Sequence, residues 1–434
     1  MRIDEKFQKT ARPEKVIQFG EGGFLRGFVD WMLQKLNDSG VWNGSVVVVQ
    51  PIEMGMCDTL TAQNCQYTHI IRGVEGVEEQ VVDVISRCVK PYDDYESYLA
   101  LADDPGFRFI VSNTTEAGIA FRAEDKLEDA PPVSYPAKLT QLLYRRYQKG
   151  LPGFVLLPCE LIDRNGDKLK QCVLQYAELW GLEAGFAAWI ETENHFCCTL
   201  VDRINTGYPK DNLPELGYED KLINTSEYFH LWVIEGPVFL GEELPFHKMG
   251  LNVIWTRDLE RYRTRKVRIL NGAHTATVAY ALLSGVPTVR EAMEDKTLHA
   301  HIRQCVFEEI IPTVTTLTRE ELESYAEDVL QRFANPHIRH FWADISLNSV
   351  SKFKVRVLPS LIGYYEKFGK LPQGLCKALG CLIRFYKEGT PRDDAAIVAD
   401  MKALSVKEIL ARTDWWDADL GFAYDEVIKY AAES

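Results

Sequence analysis

Apolar residues arrive along this chain in two rhythms, one for each half. Residues 16–19 form a short apolar run that ends at a glycine turn. The next stretch, GEGGFLRGFVDWMLQKLNDSG, spaces Phe24, Phe28, Trp31, Met32, Leu33 and Leu36 at helical intervals and closes on Gly40, which predicts an amphipathic helix. Residues 46–49 are four valines with no alternation. Such a run predicts a strand buried on both faces, as in a parallel sheet. Strand, glycine turn, helix and strand make a βαβ unit. Residues 69–73, 80–85, 107–112 and 153–157 read as further strands, and 92–102 and 135–149 as helices.

From residue 273 onward the rhythm is helical. Patterns of period 3.6 cover 275–283, 288–293, 298–311, 319–332, 374–388 and 393–404, and strand signals nearly vanish. Residues 208–257, rich in Pro, Gly and aromatics, are expected to add strands to the first domain. The expected architecture is an α/β, doubly wound domain over residues 1–257 and a mostly α-helical domain over residues 258–434. A chain of 434 residues is too long for one hydrophobic core, which agrees with two domains.

Composition narrows the function. A net charge of -14 argues against a broad nucleic-acid footprint, which needs clustered Lys and Arg. Ten Cys in a chain this long are not a disulfide framework. No CxxC pair occurs, and reduced thiols in a cytoplasmic protein are expected. MRIDEKFQKTARPEK lacks the apolar core of a signal peptide, and no apolar run reaches the roughly 20 residues of a membrane helix.

Two segments carry candidate chemistry. The turn Gly20-Glu21-Gly22-Gly23-Phe24 follows a predicted strand and opens a predicted helix, the context of a dinucleotide-binding loop. Gly20 permits the tight turn and Gly22 lets a pyrophosphate approach the backbone. Leu25 stands where GxGxxG has its third glycine, and Gly27 follows two residues later. A tight βα turn alone would explain the same glycines. The second strand ends Val49-Gln50-Pro51-Ile52-Glu53, with no acid at its tip and no Arg for a 2′-phosphate, so NAD is preferred to NADP. The turn Asn113-Thr114-Thr115-Glu116 after a later strand falls on the same sheet edge.

The second segment is KVRILNGAH. On an ideal helix Asn271 lies roughly 140° and His274 about 80° from Lys266, over an axial span of roughly 12 Å, with Gly272 expected to bend the backbone and close the gap. Hydride transfer from an alcohol needs a base for the hydroxyl proton, a role suited to a desolvated lysine among cations such as Arg263, Arg265 and Arg268. An Asn amide and a His N–H can hold a carbonyl oxygen and stabilise a developing alkoxide. On spacing alone, RYRTRKVR also reads as a solvated basic stripe followed by a helix-capping Asn.

Lesser candidates are Cys159-Glu160, Asp163 and Asn165-Gly166 after a strand, and Asn194 and His195, for which turn or structural roles are the plain readings. His337, Arg339 and His340 suggest a metal only weakly, because no acidic or Cys partner has ligand spacing. Lys352, Lys354 and Arg356 alternate as on one face of an extended segment and could clamp a carboxylate.

Taken together, FGEGGFLRGFVDW, VDRI, KVRILNGAH, RFANPHIR and KFKVRVLPS resemble, in order, the polyol-specific long-chain dehydrogenase family to which mannitol dehydrogenase belongs. The resemblance implies a Rossmann-like first domain and catalysis by Lys266, Asn271 and His274. It also implies an NAD site drawn from Phe19, Gly20, Gly22, Gly23, Phe24, Asn113, Thr114 and Glu116. No metal is implied. Asp202, in VDRI, matches a position lining the family's site. VIQFGEGGFLRGFVDW, VSNTTEAGIAF, LPCELIDRNG and YFHLWVIEGP further resemble a branch whose small-molecule substrates are hexuronates and aldonates. Two departures matter. Leu161 stands where the family has an oxyanion-site Asn, and Arg263 where it has Glu. The second exchange suits an anionic substrate, with Arg263, Lys352 and Arg356 expected to bind it in a cleft between the domains. A reductase of another keto-uronate, a mannitol or mannitol-phosphate dehydrogenase, and a nucleotide-binding regulator without activity are the alternatives.

Overall fold

The computed structural model describes residues 1–115, 117–210 and 213–431. The chain divides into two compact units, Met1–Leu259 and a second that begins at Glu260. No helix among the described residues is long and apolar enough to cross a membrane.

The first unit is built on a six-stranded sheet. From edge to edge its strands are Ile85–Val89, Ser45–Val49, Glu14–Phe19, Phe109–Ser112, Val155–Pro158 and His195–Phe196, all parallel. In order of appearance this is 3-2-1-4-5-6, the doubly wound arrangement. The valine run behaves as expected. Val46 and Val48 enter one hydrophobic core, Val47 and Val49 the other, and all four are fully buried. Burial of each contributes on the order of 1.5–3 kcal/mol. The strand order reverses between Glu14–Phe19 and Phe109–Ser112, so the turns after these two strands lie side by side.

Two small sheets complete the unit. One orders Asn205–Gly207, Asn224–Ser226, Tyr67–Gly73 and Gly76–Val82; the other orders Val253–Thr256, Leu231–Glu235 and Cys198–Asp202. Strands within 208–257 therefore belong to the first unit, as the sequence suggests. The strand expected at 80–85 is instead the end of a hairpin strand and the start of Ile85–Val89, and Tyr67–Gly73 lies outside the main sheet. The helix expected after the glycine turn is broken in two, Gly23–Arg26 and Val29–Ser39.

The second unit is helical. Gly272–Leu283 packs against Gln373–Glu388, which packs against Tyr424–Ala431. The last two approach closely because Gly380 has no side chain, and a Cβ there would lie 2.5 Å from the Val427 carbonyl oxygen. The segment expected to be extended at 352–356 is the helix Ser349–Arg356. An extended segment would put Phe353 and Val355 on one face; in the helix Phe353 is buried, Val355 is 61% exposed, and Lys352 and Arg356 lie together one turn apart. Lys354 points elsewhere and pairs with Asp417 at 2.8 Å.

Candidate active site

In the first unit the glycine turn follows the central strand. Gly20 has φ +116°, and a Cβ on it would come within 3.1 Å of the Asn113 carbonyl oxygen, so only glycine fits between the neighbouring turns. Its N–H donates to the Val49 carbonyl at 3.1 Å. Open space surrounds the position of a Cβ on Gly22, which leaves the backbone approachable. This cradle fits a dinucleotide phosphate. The helix that follows is a single turn, so it adds little dipole to the cradle. Gly27, rather than residue 25, supplies the close-packing glycine. Leu25 is a core residue, whereas a Cβ on Gly27 would lie 2.3 Å from Asn205 Nδ2.

The adjoining loops are tied to this turn. Gln50 Nε2 donates to the carbonyls of Ile52 and Glu53 at 3.0 and 2.9 Å, and Glu21 Oε1 accepts from the Met56 N–H at 3.1 Å. Glu53 itself is exposed. The Asn113 N–H donates to the Phe19 carbonyl, and Asn113 Nδ2 donates to the Cys159 carbonyl at 3.0 Å. Glu160, buried after the next strand, accepts from the Thr114 N–H, from Thr114 Oγ1 and from Ser112 Oγ at 3.0–3.1 Å. Burial pushes the Glu160 carboxyl up, and these donors oppose the push.

The expected cofactor residues thus divide. Gly20, Gly22 and Gly23 offer backbone, and Phe24 stacks on Phe28 at 4.9 Å. The Phe19 ring is in the core, 4.8 Å from that of Tyr135, so only its main chain faces the turn. Glu116 lies outside the described residues. Asp202 ends the strand Cys198–Asp202 and is buried. Leu161 is 66% exposed.

In the second unit Lys266–Asn271 is a π-helical turn between the helices Glu260–Arg265 and Gly272–Leu283. The arc computed for an ideal α-helix therefore does not apply. A π-turn bonds residue i to i+5, so Lys266 and Asn271, five apart, come nearer to one face. Asn271 is in mid-helix with no capping bond, and Gly272 keeps helical angles (φ -63°, ψ -45°) rather than bending the chain. What Gly272 does provide is room for Arg356, whose carbonyl oxygen would sit 3.3 Å from a Cβ there. The arginines around Lys266 are not a solvated stripe. Arg263 pairs with Glu260 at 3.3 Å, Arg265 lies over the Tyr325 ring at 4.3 Å, and Arg268 donates to Ser360 Oγ and Thr313 Oγ1.

His274 sits in an aromatic box. Its ring stacks on Phe333 at 4.3 Å and meets His340 and Trp342 edge-on at 5.0 and 6.0 Å. Its Nε2 is buried without a hydrogen-bond partner among the described residues. Burial first, then the charges of His340, Arg332, Arg356 and Lys352, hold its pKa well below the ordinary value, so the ring is neutral. Lys352 donates to the Ile345 carbonyl at 2.9 Å and Arg356 to Thr275 Oγ1 at 3.4 Å. Sequence reasoning missed Arg332, Phe333 and Trp342 as neighbours of His274, although RFANPHIR was a matching segment. His340 belongs to this box. Among the described residues no three His, Cys, Asp or Glu are grouped to hold a metal.

Comparison with known proteins agrees with this division. Residues 14–248 match the model of the mannitol dehydrogenase Rossmann domain, and residues 258–421 that of the mannitol dehydrogenase C-terminal domain. An altronate oxidoreductase of Bacillus subtilis (strain 168) is 46% identical over 95% of this chain and 90% of its own length. That of Escherichia coli O6:K15:H31 is 45% identical over 95% and 92%. Among solved structures, substrate-free D-sorbitol dehydrogenase superposes with a TM-score of 0.83 at 21% identity, over 97% of this chain and 93% of the other. Pseudomonas fluorescens mannitol 2-dehydrogenase, a ternary complex with NAD and D-mannitol, gives 0.66 at 20%, over 97% and 91%.

Proposed function

Since this chain belongs to the mannitol dehydrogenase family and is an oxidoreductase acting on CH–OH groups, we propose that it interconverts D-tagaturonate and D-altronate with NADH and NAD. The observation that carries the anionic substrate is the setting of His274. A neutral imidazole whose Nε2 has no hydrogen-bond partner among the described residues lies near the cations Arg332, Lys352 and Arg356. Such a site attracts a carboxylate and leaves the imidazole free to donate to a sugar oxygen. Relatives named altronate oxidoreductase supply the sugar.

The glycine turn and the Asn113-Thr114 turn would hold the dinucleotide, which supplies the hydride when bound. Lys266 donates its proton to the oxygen of the keto group during reduction and takes it back in the oxidative direction. Asn271 and His274 polarise the same oxygen, with Nε2 carrying the imidazole proton. Lys352 and Arg356, on one helix face, anchor the carboxylate, and Arg263 adds positive charge from the turn before Lys266. Asp202 orients a hydroxyl. The reaction proceeds without a metal, in the cytoplasm. The test is NADH oxidation measured side by side with tagaturonate, fructuronate, fructose and fructose 6-phosphate. Tagaturonate is expected to be preferred. Preference for fructose or its phosphate would transfer the chain to the polyol branch, and NADH binding without turnover on any of the four would favour a regulatory protein.

A further inference from the structure

The break in the helix after the glycine turn lies against residues from far along the chain. Two short strands of the small four-stranded sheet carry nearly the same sequence, Ile204-Asn205-Thr206-Gly207 and Ile223-Asn224-Thr225-Ser226. They pair antiparallel, with Thr206 and Thr225 joined through their hydroxyls. The pairing brings both asparagines to one point, the carbonyl oxygen of Gly23. Asn205 Nδ2 donates to it at 2.6 Å and Asn224 Nδ2 at 2.8 Å, beside the helical bond from the Gly27 N–H at 2.9 Å. The same two amides occupy the space a side chain would need at residue 27. A Cβ there would meet them at 2.3 and 2.6 Å and the His69 ring at 2.8 Å.

His69 fixes the sense of the contact. It is fully buried, and burial together with Arg203 and Arg26 holds its pKa well below the ordinary value, so it is neutral. Its Nε2 bonds with Ser226 Oγ at 2.9 Å, and its Nδ1 faces Asn224 Nδ2 at 3.5 Å, which leaves the amide N–H side toward Gly23.

We infer that Asn205 and Asn224 are positioning residues for the dinucleotide: together they hold the Gly23 carbonyl and so set the glycine turn in its phosphate-accepting conformation. In a trans peptide the C=O and the following N–H point in opposite directions. Fixing the Gly23 carbonyl into the small sheet therefore aims the Phe24 N–H back toward the Gly20–Gly22 side, and prevents a carbonyl dipole from turning toward an anion. The clamp also explains the shifted motif. The glycine that permits close packing stands at residue 27 because the two amides lie there. This inference rests on the reading that the turn binds NADH.

The test compares NADH affinity, by quenching of protein fluorescence, in the wild type, Asn205→Ala and Asn224→Asp. Wild type is expected to bind; failure to bind would overturn the cofactor reading and the clamp with it. Each variant is expected to weaken NADH about tenfold, the effect of losing one well-placed hydrogen bond, while kcat at saturating NADH and KM for the keto sugar stay within about twofold. Asn224→Asp keeps the shape but sets an acceptor against the Gly23 oxygen. Its deficit is expected to shrink as pH falls from about 8 to 5.5, because a protonated carboxyl regains a donor. Wild-type affinity retained in folded Asn205→Ala would overturn the clamp alone, as would equal losses in kcat and NADH affinity. If Asn224→Asp does not fold, Asn205→Ala decides.

Discussion

The glycine turn of the first unit and the Lys266–His274 segment of the second are built on opposite principles. Around the turn the side chains of the adjoining loops are tied to their neighbours. Gly20, Glu21, Gln50, Asn113, Thr114 and Glu160 bond to one another or to the backbone of neighbouring strands and loops. What remains for a ligand is main chain. Around His274 one polar atom is held in reserve: Nε2, in an aromatic box, has no hydrogen-bond partner among the described residues, and the cations nearby keep bonds of their own. A loop that binds an invariant cofactor gains from rigidity. A centre that changes protonation and charge in each turnover needs groups whose bonding is not already spent.

The sharpest way to break this comparison is to remove the proton donor proposed for the second unit. Lys266→Ala should lower kcat by about a hundredfold or more while leaving NADH affinity intact, the signature of a lost proton transfer rather than lost binding. Stopped-flow turnover and NADH titration on the same preparation measure both, and near-normal turnover would refute the role.

A smaller effect is expected at the carboxylate. Lys352→Met and Arg356→Met should each raise KM for the uronate about tenfold with little change for NADH, since a charge-assisted contact contributes roughly 1.5–3 kcal/mol. Arg263→Ala should raise KM in the same direction and by about tenfold or less, because Arg263 already shares its charge with Glu260. Steady-state kinetics with tagaturonate and with neutral fructose discriminate the two groups. A KM that changes equally for both sugars would mean that charge is not what these residues supply.

The first unit has its own test, in pH. Asp30 is fully buried, accepts from Gln18 Nε2 at 3.2 Å, and burial pushes its carboxyl up to about 7. Between its unfolded value of 3.8 and about 7 the folded state holds a proton that the unfolded state has released. Its contribution therefore stabilises at low pH and is lost as pH rises through that window, by about 1.4 kcal/mol per pH unit at most. The buried neutral His69 and His230 act in the opposite sense, because their pKa values are lowered and unfolding takes up protons. Comparing denaturant midpoints of wild type and Asp30→Asn from pH 5 to 8 isolates the Asp30 slope. Identical slopes would show that its carboxyl is not perturbed.

Much of the first unit was legible in the sequence, because a parallel sheet writes its strands as unbroken apolar runs, and 46–49 is one. The glycine turn was legible as a turn. Its helix was not, since the chain breaks near Gly27, where Asn205 and Asn224 reach the Gly23 carbonyl from strands about 180 and 200 residues away. In the second unit the residue types of KVRILNGAH were legible and their geometry was not. An α-helix and a π-turn differ by one residue in hydrogen bonding, and a 3.6-residue pattern does not distinguish them over six residues. The segment 352–356 satisfied both a strand period and an i, i+4 helical face, and the exposure of Val355 beside a buried Phe353 shows the helical one. The box around His274 was hidden for another reason: Phe333, His340 and Trp342 come from residues distant in sequence and carry no spacing signal.

The central claim is that a keto-hexuronate is reduced by direct hydride transfer from NADH at a centre governed by Lys266. It is tested most directly by incubating the enzyme with tagaturonate and NADH deuterated at the transferable nicotinamide position, then locating the label by mass spectrometry and NMR. One deuterium on the former carbonyl carbon of altronate, formed by wild type and slowed about a hundredfold or more in Lys266→Ala, is the predicted result. Unlabelled altronate, or no altronate from an enzyme that binds NADH, would contradict it.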